Sequence, residues 1–193
     1  HSGGLEIIYK YDAKGNLESW GDNTGAGGRM GYDAKGRPQW SIDPIGNRHS
    51  FEYDAANHLI AMDDPVGNRT RTSYTKHGQL KQLSNALGHS ASYSYNQAGM
   101  LQQIETSSQA KLGFSYDVAG NLLTSTDPLG RTLNHAYDRA GQLISSKDAA
   151  GKVIRYRYDL DGRLLEKLLP ENRSIRYRYD DAGHLLSMDD GAF

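Results

Sequence analysis

The residue types best suited to metal binding are present, but they are not grouped. The chain has no cysteine, so disulfides and thiolate chemistry are excluded. The seven histidines are His1, His49, His58, His77, His89, His135 and His184. Their spacings repeat no metal-ligand pattern, although His58 and His184 share the same position relative to a preceding tyrosine. We therefore predict no metal centre and no cofactor.

Three pairs of adjacent acids could suggest the two carboxylates of a glycosidase. They are Asp63-Asp64, Asp180-Asp181 and Asp189-Asp190. Each pair falls in a segment with turn signals, where aspartate accepts hydrogen bonds from the backbone. The sequence contains no nucleophile elbow, phosphate loop or dinucleotide-binding fingerprint. It therefore favours a protein that is not an enzyme.

Four arginines form the clearest candidate binding patch. Arg155 and Arg157 alternate along one predicted strand, and Arg176 and Arg178 stand one repeat further on. Alternation places each pair on one face of its strand, opposite the face that carries the neighbouring tyrosines. Two interpretations stay open. The arginines form a solvated face that keeps the sheet from aggregating, or they form a patch for polyanions or acidic glycans.

Tyrosine recurs every 21 residues, with no insertion in any interval. The nine repeat tyrosines are Tyr11, Tyr32, Tyr53, Tyr74, Tyr95, Tyr116, Tyr137, Tyr158 and Tyr179. Recurrence in every repeat favours a structural stack between neighbouring hairpins over a platform for sugars or bases. We predict that each tyrosine is at least half buried and that its ring contacts the equivalent Tyr or Leu of the adjacent hairpin.

Each repeat carries two turn signals, Asp-x-x-Gly and Asp-Pro-x-Gly, that start about ten residues apart. Asp first, Pro second and Gly fourth are the preferences of type I turns. We expect positive φ at glycines such as Gly120 and Gly141, and at Asn57, which replaces glycine in one repeat. The weakest turn signal lies at Thr106–Gln109, where Asp, Pro and Gly are all missing.

Between the turns, apolar and polar residues alternate. In Lys152–Tyr158, for example, Ile154, Tyr156 and Tyr158 share one face. A period of two with one polar face is typical of a half-buried antiparallel strand. The predicted fold class is all-β, with tandem 21-residue β-hairpin repeats that form a curved or spiral antiparallel sheet. We expect residues 1–193 to form a single array of about nine repeats, truncated at both ends.

Composition narrows the function further. The net charge is −1, with 22 basic and 23 acidic residues, which argues against nucleic-acid binding. No apolar run approaches the roughly 18 residues of a membrane span, and no signal peptide opens the sequence. Thirteen tyrosines supply much of the apolar surface. We therefore expect a folded chain with a thin core.

The repeat resembles that of the YD-repeat, or Rhs, family. The family motif is Tyr-Asp-x-x-Gly-Arg/Asn-Leu, a polar strand, and then Asp-Pro-x-Gly-Arg/Asn. Residues 116–122 read Tyr-Asp-Val-Ala-Gly-Asn-Leu, and residues 127–131 read Asp-Pro-Leu-Gly-Arg. The resemblance covers essentially the whole chain. It implies a spiral antiparallel sheet of successive hairpins.

The resemblance also implies a function. In bacterial Rhs polymorphic toxins, C components of insecticidal toxin complexes and teneurins, such sheets wind into hollow shells. In the bacterial members the shell holds a C-terminal toxin domain. The implied role is a structural segment of a toxin-encapsulating cocoon, with the remaining shell and its cargo as partners. The implied location is secreted or cell-surface, reached through a bacterial secretion system. The family's self-cleaving segment and variable toxin tail do not occur in this sequence, so neither enclosure nor self-cleavage is carried over to this segment alone.

One alternative function comes from a different class, a repeat-built cell-surface module that binds glycans or polyanions. Affinity for heparin-like ligands that depends on the four arginines would favour it. The repeat pattern also leaves a first and a last strand with unpaired backbone groups, and it leaves an aromatic face uncovered. We therefore expect the isolated fragment to self-associate.

Overall fold

A computed structural model describes residues 6–191, so His1 lies outside the described residues. It consists of antiparallel β-strands and one short 3-10 turn at Pro170–Asn172, which confirms the all-β prediction. The strands are β1 (Ile7–Tyr11), β2 (Leu17–Asp22), β3 (Gly27–Tyr32), β4 (Pro38–Ile42), β5 (Arg48–Tyr53), β6 (Leu59–Asp63), β7 (Arg69–Tyr74), β8 (Leu80–Ser84), β9 (Ser90–Tyr95), β10 (Leu101–Thr106), β11 (Lys111–Tyr116), β12 (Leu122–Thr126), β13 (Thr132–Tyr137), β14 (Leu143–Lys147), β15 (Val153–Tyr158), β16 (Leu164–Leu168), β17 (Ser174–Tyr179) and β18 (Leu185–Asp189).

The chain forms two compact units. Of the described residues, the first unit holds 6–92 together with 106–108, and the second holds 93–105 and 109–191. In the first unit each strand pairs antiparallel with the next, from β1 to β8 and on to the start of β9. In the second unit the same pattern runs from β10 to β18. Each unit is therefore a meander of hairpins.

The aspartates close the turns as their sequence positions predict. In the turn that begins at Asp117, the Gly120 N–H donates to the Asp117 carbonyl oxygen (3.1 Å). The Asp117 Oδ1 accepts from the backbone N–H groups of Ala119 and Asn121, at 2.9 Å each. The Asn121 side chain donates to Oδ2, also at 2.9 Å. One carboxylate thus satisfies three donors that a tight turn would otherwise leave unpaired.

The predicted backbone conformation is confirmed at the fourth residue after each repeat tyrosine. Gly120 has φ +91°, Gly141 +79° and Asn57 +72°, all in the left-handed region. Glycine reaches this region without a steric penalty, and asparagine is among the residues that tolerate it best. The weak turn at Thr106–Gln109 still forms, with Gln109 at φ +64°. At Pro170–Asn172 two non-glycine residues have positive φ instead, Glu171 and Asn172.

In each repeat whose pairing is described, the hairpin closed by the first turn has a register shift just before the repeat tyrosine. Ser115 pairs with Thr124 but Tyr116 pairs with Leu122, so Leu123 is an extra residue on β12. The other shifts come before Tyr11, Tyr32, Tyr53, Tyr74, Tyr137, Tyr158 and Tyr179. The hairpins closed by the second turns show no shift. A bulge of this kind bends the strand and increases its local twist.

The pairing also staggers successive repeats. Arg157 pairs with Glu166, and Glu166 pairs with Arg176. The residue equivalent to Arg157 in the next repeat is Arg178, two positions further along β17, so equivalent residues are displaced by about 7 Å along the strand. Because side chains alternate with a period of two, this displacement keeps equivalent residues on the same face. Within each unit, a tyrosine that follows another repeat therefore lies diagonally beside the first turn of that repeat.

The core is as thin as the composition predicts. Among the described residues, Ala61 is the one buried hydrophobic side chain. Both tryptophans lie across glycines, because a Cβ at Gly28 would overlap the Trp20 indole and a Cβ at Gly31 would overlap that of Trp40. Sheet-on-sheet packing of the usual kind buries many large side chains on its inner faces. Contacts between neighbouring hairpins, rather than a second layer, must therefore hold each unit together.

The hydrogen bonds to the turn aspartates lower the pKa of these carboxyls. The hydrogen bond from the Asn121 side chain, followed by that from the Asn121 backbone, holds the pKa of Asp117 below its ordinary value. The pKa is lowered in the same direction at Asp12, Asp22, Asp33, Asp43, Asp54, Asp64, Asp127, Asp159 and Asp180. A carboxyl with a lowered folded-state pKa stabilises the fold above its unfolded pKa, and this stabilisation disappears as the pH falls through the folded pKa.

We expect the free energy of unfolding, measured in urea, to fall most steeply below about pH 4, where unfolded aspartates become protonated. Asp117→Asn should make that fall shallower, because one titrating turn carboxyl is removed. Asp181→Asn is the matched control, since its exposed side chain makes no turn bond within residues 6–191. A stability that stays constant between pH 6 and pH 2 would contradict this account.

Candidate functional site

Several repeat tyrosines reach the preceding repeat through their hydroxyl groups. The Tyr158 hydroxyl donates to the carbonyl oxygen of Leu143, in the preceding repeat, at 3.0 Å. Equivalent bonds join Tyr32 to Leu17, Tyr74 to Leu59 and Tyr179 to Leu164, at 2.9–3.0 Å. Burial raises the pKa of Tyr158. In these repeats the tyrosine therefore contacts the leucine of the adjacent hairpin through a hydroxyl–carbonyl hydrogen bond, and the predicted contact of the ring itself stays a prediction.

The residue five positions after one tyrosine covers the ring of the next tyrosine. The His58 ring stacks on Tyr74 with centroids 4.5 Å apart. The Arg37 guanidinium lies 4.7 Å from the centroid of Tyr53, which is a cation–π distance. Arg163 lies 5.7 Å from the centroid of Tyr179 in the same way. These pairs occur in both compact units, so the arrangement belongs to the repeat and not to one place in the chain.

The same covering side chain lies beneath the first-turn glycine of the next repeat. A Cβ at Gly78 would stand 3.1 Å from His58 Nε2, and one at Gly162 would stand 2.9 Å from Gln142 Nε2. His58 cannot move away freely, because its Nδ1 also bonds Asp54 Oδ2 at 2.9 Å. We call the combination of covering side chain, tyrosine, leucine carbonyl and turn glycine the interlock.

One tyrosine departs from the prediction. Tyr32, Tyr53, Tyr74, Tyr95, Tyr116, Tyr137, Tyr158 and Tyr179 are all partly buried. Tyr11 is 60 % exposed, so the prediction that every repeat tyrosine is at least half buried is wrong there. The Tyr32 hydroxyl bonds Leu17, and the position one repeat before Leu17 would lie ahead of the first residue of the sequence. Tyr11 therefore has no covering repeat within this sequence.

The four candidate arginines are all exposed, and two of them share an acidic partner. Arg157 Nη1 lies 3.1 Å from Glu166 Oε2, and Arg176 Nε lies 3.2 Å from Glu166 Oε1. The Glu166 side chain is only 12 % exposed, against 71 % and 69 % for these two arginines. The hydrogen bond from Arg176, assisted by that from Arg157, holds the pKa of the Glu166 carboxyl below its ordinary value. Glu166 therefore neutralises part of the patch.

Arg155 and Arg178 remain the free members of the patch. Neither has an ion-pair partner within residues 6–191. Arg155 stands opposite Ser145 and Leu168, and Arg178 stands opposite Ser187. The sequence pattern does not reveal Glu166 as the shared partner, because arginines one full repeat apart do not stand opposite the same residue. Counting across the hairpin from the shift at Tyr158 would have placed Glu166 opposite Arg157.

The remaining candidate residues mostly serve the turns. Asp64, Asp180 and Asp189 accept backbone hydrogen bonds at their turns. Asp63 does not, because it lies on β6 and contacts Ser50 (2.9 Å) and Arg69 (2.9 Å). His184 repeats the role of His58, with its Nδ1 3.0 Å from Asp180 Oδ2.

Neither a metal site nor a membrane helix is found in the described part of the chain. No three His, Asp or Glu side chains within residues 6–191 stand close enough to hold a metal ion together. Over the same residues, no helix has the length and apolar character that crossing a membrane requires.

The bulged hairpins, the aspartate turns and the interlock define a protein built from tandem YD β-hairpin repeats. The sequence matches the Teneurin YD-shell family over residues 11–188, and the chain belongs to that family. No curated protein matches the sequence.

The fold is similar to that of toxin-complex proteins of known structure. With TcdB2-TccC3-TEV the identity is 18 % and the TM-score 0.60, over 96 % of this chain and 12 % of that one. With TcdB2-TccC3 lacking its hypervariable C-terminal region the identity is 16 % and the TM-score 0.60, with the same coverage. With the Photorhabdus luminescens Tc holotoxin pore carrying TccC3-D651A the identity is 20 % and the TM-score 0.50, over 96 % of this chain and 12 % of that one. The likeness concerns the fold, and the chain spans only about an eighth of those proteins.

The tyrosine hydroxyl bond should contribute measurably to stability. Tyr158→Phe keeps the ring but removes the donor to Leu143, so we expect a loss of about 1 kcal/mol in the free energy of unfolding. Tyr137→Phe is the matched control, because the Tyr137 hydroxyl has no partner within residues 6–191. Chemical denaturation of both variants tests this, and equal losses would contradict a role for the bond.

Proposed function

We propose that this chain is a non-catalytic wall segment of a YD shell that encloses a toxin cargo. The observation that carries the proposal is the recurrence of one interlock in both units of a chain with almost no buried core. The wall of a shell needs each repeat to bind its immediate neighbours. It does not need a pocket for a ligand. The YD-shell family match over residues 11–188 supports the same role.

Exposed apolar turn tips support contact with the rest of such a shell. Ile45, Val66 and Leu87 occupy the third position of successive second turns, and all three are largely exposed. Their spacing of one repeat places them on the same edge of their hairpins. Apolar side chains repeated along one edge suit burial against another protein surface. The proposed partners are the remaining shell and its cargo.

The toxin-complex structures of similar fold support a proposed location. A structure of similar fold is that of a Tc holotoxin pore, so we place this chain in a secreted or cell-surface toxin complex delivered through a bacterial secretion system.

A second candidate function is binding of polyanions or acidic glycans at the arginine patch. Arg155 and Arg178 favour it, because both are exposed and have no ion-pair partner within residues 6–191. Glu166 weakens it, because this carboxylate already occupies Arg157 and Arg176. The shell role therefore has the stronger support.

Protection of a cargo tests the shell role. In a full-length protein that carries this segment, we expect the C-terminal cargo to resist a protease concentration that digests the same cargo alone. Tyr74→Ala, which empties a partly buried interlock position, should make the cargo cleavable. Leu160→Ala is the control within the array, because that side chain is fully exposed in the turn between β15 and β16. Equal cleavage of the enclosed and the free cargo would overturn the proposal.

The alternative is tested on the chain itself with immobilised heparin. Under the shell role, we expect wild type and the Arg155→Ser, Arg157→Ser, Arg176→Ser, Arg178→Ser quadruple variant to elute at the same low salt concentration. Earlier elution of the quadruple variant alone would support the polyanion module, because phosphate and sulfate contacts depend strongly on salt.

A further inference from the structure

An open cleft in the second unit lies beside the second turns of two successive repeats. Its volume is about 540 Å³, which is within the range of small-molecule binding sites. Leu112, Phe114 and Leu133 line it from the strands, and Ala149 and Ala150 line it from the turn between β14 and β15. We call it the apolar cleft.

The strand register explains the depression. Ser125 pairs with Phe114 on one side and with Leu133 on the other. Directly opposite residues of neighbouring strands project to the same face of a sheet. The small serine side chain therefore lies between two large apolar ones, which leaves a hollow with apolar walls.

The first unit contains a counterpart of this cleft with a different lining. The counterpart has a volume of about 570 Å³, and its lining residues are the equivalents, two repeats earlier, of residues in the apolar cleft. At the centre, Leu83 takes the place of the small serine. Around it, smaller or hydroxyl-bearing side chains replace the apolar ones: Thr70 for Leu112, Ala91 for Leu133, Ser107 for Ala149 and Ser108 for Ala150. The repeat thus forms the cleft without an apolar lining, so the fold does not require that lining.

One carboxylate of the apolar cleft is only half used. Asp127 and Arg131 neutralise each other, with Arg131 Nε 2.6 Å from Asp127 Oδ2. Asp148 Oδ1 accepts the backbone N–H of Lys152 at 2.8 Å, but Asp148 Oδ2 has no partner within residues 6–191. The lining of the apolar cleft therefore carries one uncompensated negative charge. In the counterpart, Thr106 holds the position of Asp148.

We propose that the apolar cleft binds a small amphipathic amine, with its ammonium group on Asp148 Oδ2 and its apolar part on Phe114 and Leu133. An anion would be repelled by the free carboxylate, and a neutral apolar ligand would cover it without pairing it, so the charge selects a cation. The proposal does not depend on the shell function, because a wall segment needs no ligand.

An NMR titration of the whole 193-residue chain with phenylbutylamine tests the proposal. We expect one site per chain with a Kd on the order of 1 mM, as befits a ligand of this size. The amide signals of Leu133 and Ala149 should shift. Phenylbutanol has the same apolar part without the charge and should bind about three- to fivefold more weakly.

Two variants separate the charge from the apolar lining. Asp148→Asn keeps the oxygen that accepts the Lys152 N–H but removes the charge, so the Kd of the amine should rise about three- to fivefold while that of phenylbutanol stays unchanged. Leu112→Thr with Leu133→Ala gives the apolar cleft the side chains of its counterpart. This double variant should weaken binding of both compounds at least about tenfold.

Thr70→Ala is the matched control, because Thr70 lines the counterpart cleft, and it should leave both Kd values unchanged. Circular dichroism melts check that each variant folds, and Asp148→Asn alone decides the question if the double variant does not. Absence of amine binding to the wild type at about 10 mM would overturn the proposal. So would an Asp148→Asn variant that binds the amine as tightly as the wild type. A loss in Thr70→Ala as large as in the double variant would place the amine in the counterpart and would also overturn it.

Discussion

The structure depends on one local constraint, the left-handed backbone at the fourth residue after each repeat tyrosine. Glycine there closes the first turn, and its missing Cβ leaves room for a side chain of the preceding repeat. That side chain covers the next tyrosine, and the tyrosine hydroxyl reaches the preceding leucine carbonyl. An insertion in any repeat would separate these groups, which accounts for the unbroken period. Asn57 is tolerated because asparagine also adopts positive φ and its side-chain oxygen accepts a hydrogen bond from Arg37, the covering residue of Tyr53, at 2.9 Å.

This arrangement distributes stability along the chain instead of concentrating it in a core. Each hydroxyl bond is worth about 1 kcal/mol, and most exposed ion pairs contribute between about 0 and 1 kcal/mol. Contacts of this size suffice only when they recur, as they do in proteins whose repeats contact their immediate neighbours. Damage to one interlock should therefore weaken its neighbours most.

Sequence patterns were sufficient to predict the secondary structure and the turns of the single repeat. The tyrosine spacing, the alternation and the turn residues predicted the all-β hairpins and the positive φ of Gly120 and Gly141, because these depend on local chemistry. Contacts across strands were harder to predict. The stagger between repeats places Arg176, and not the equivalent Arg178, across Glu166 from Arg157, so this shared carboxylate was missed. Turns built on Gln109 and Glu171 show that neighbouring hairpins can impose a backbone conformation that the local residues do not favour.

A double-mutant cycle on the interlock tests the central claim most directly. Gly78 and Gly88 have nearly the same φ, +79° and +82°, but only Gly78 has a side chain, His58, within 4 Å of the position of an added Cβ. The free energy of unfolding would be measured for Gly78→Ala and Gly88→Ala, each with His58 present and with His58→Ala. The account predicts that Gly78→Ala costs more than Gly88→Ala when His58 is present, and that the difference disappears with His58→Ala. Equal costs for the two glycines in both backgrounds would show that backbone conformation alone requires glycine, and would contradict the interlock.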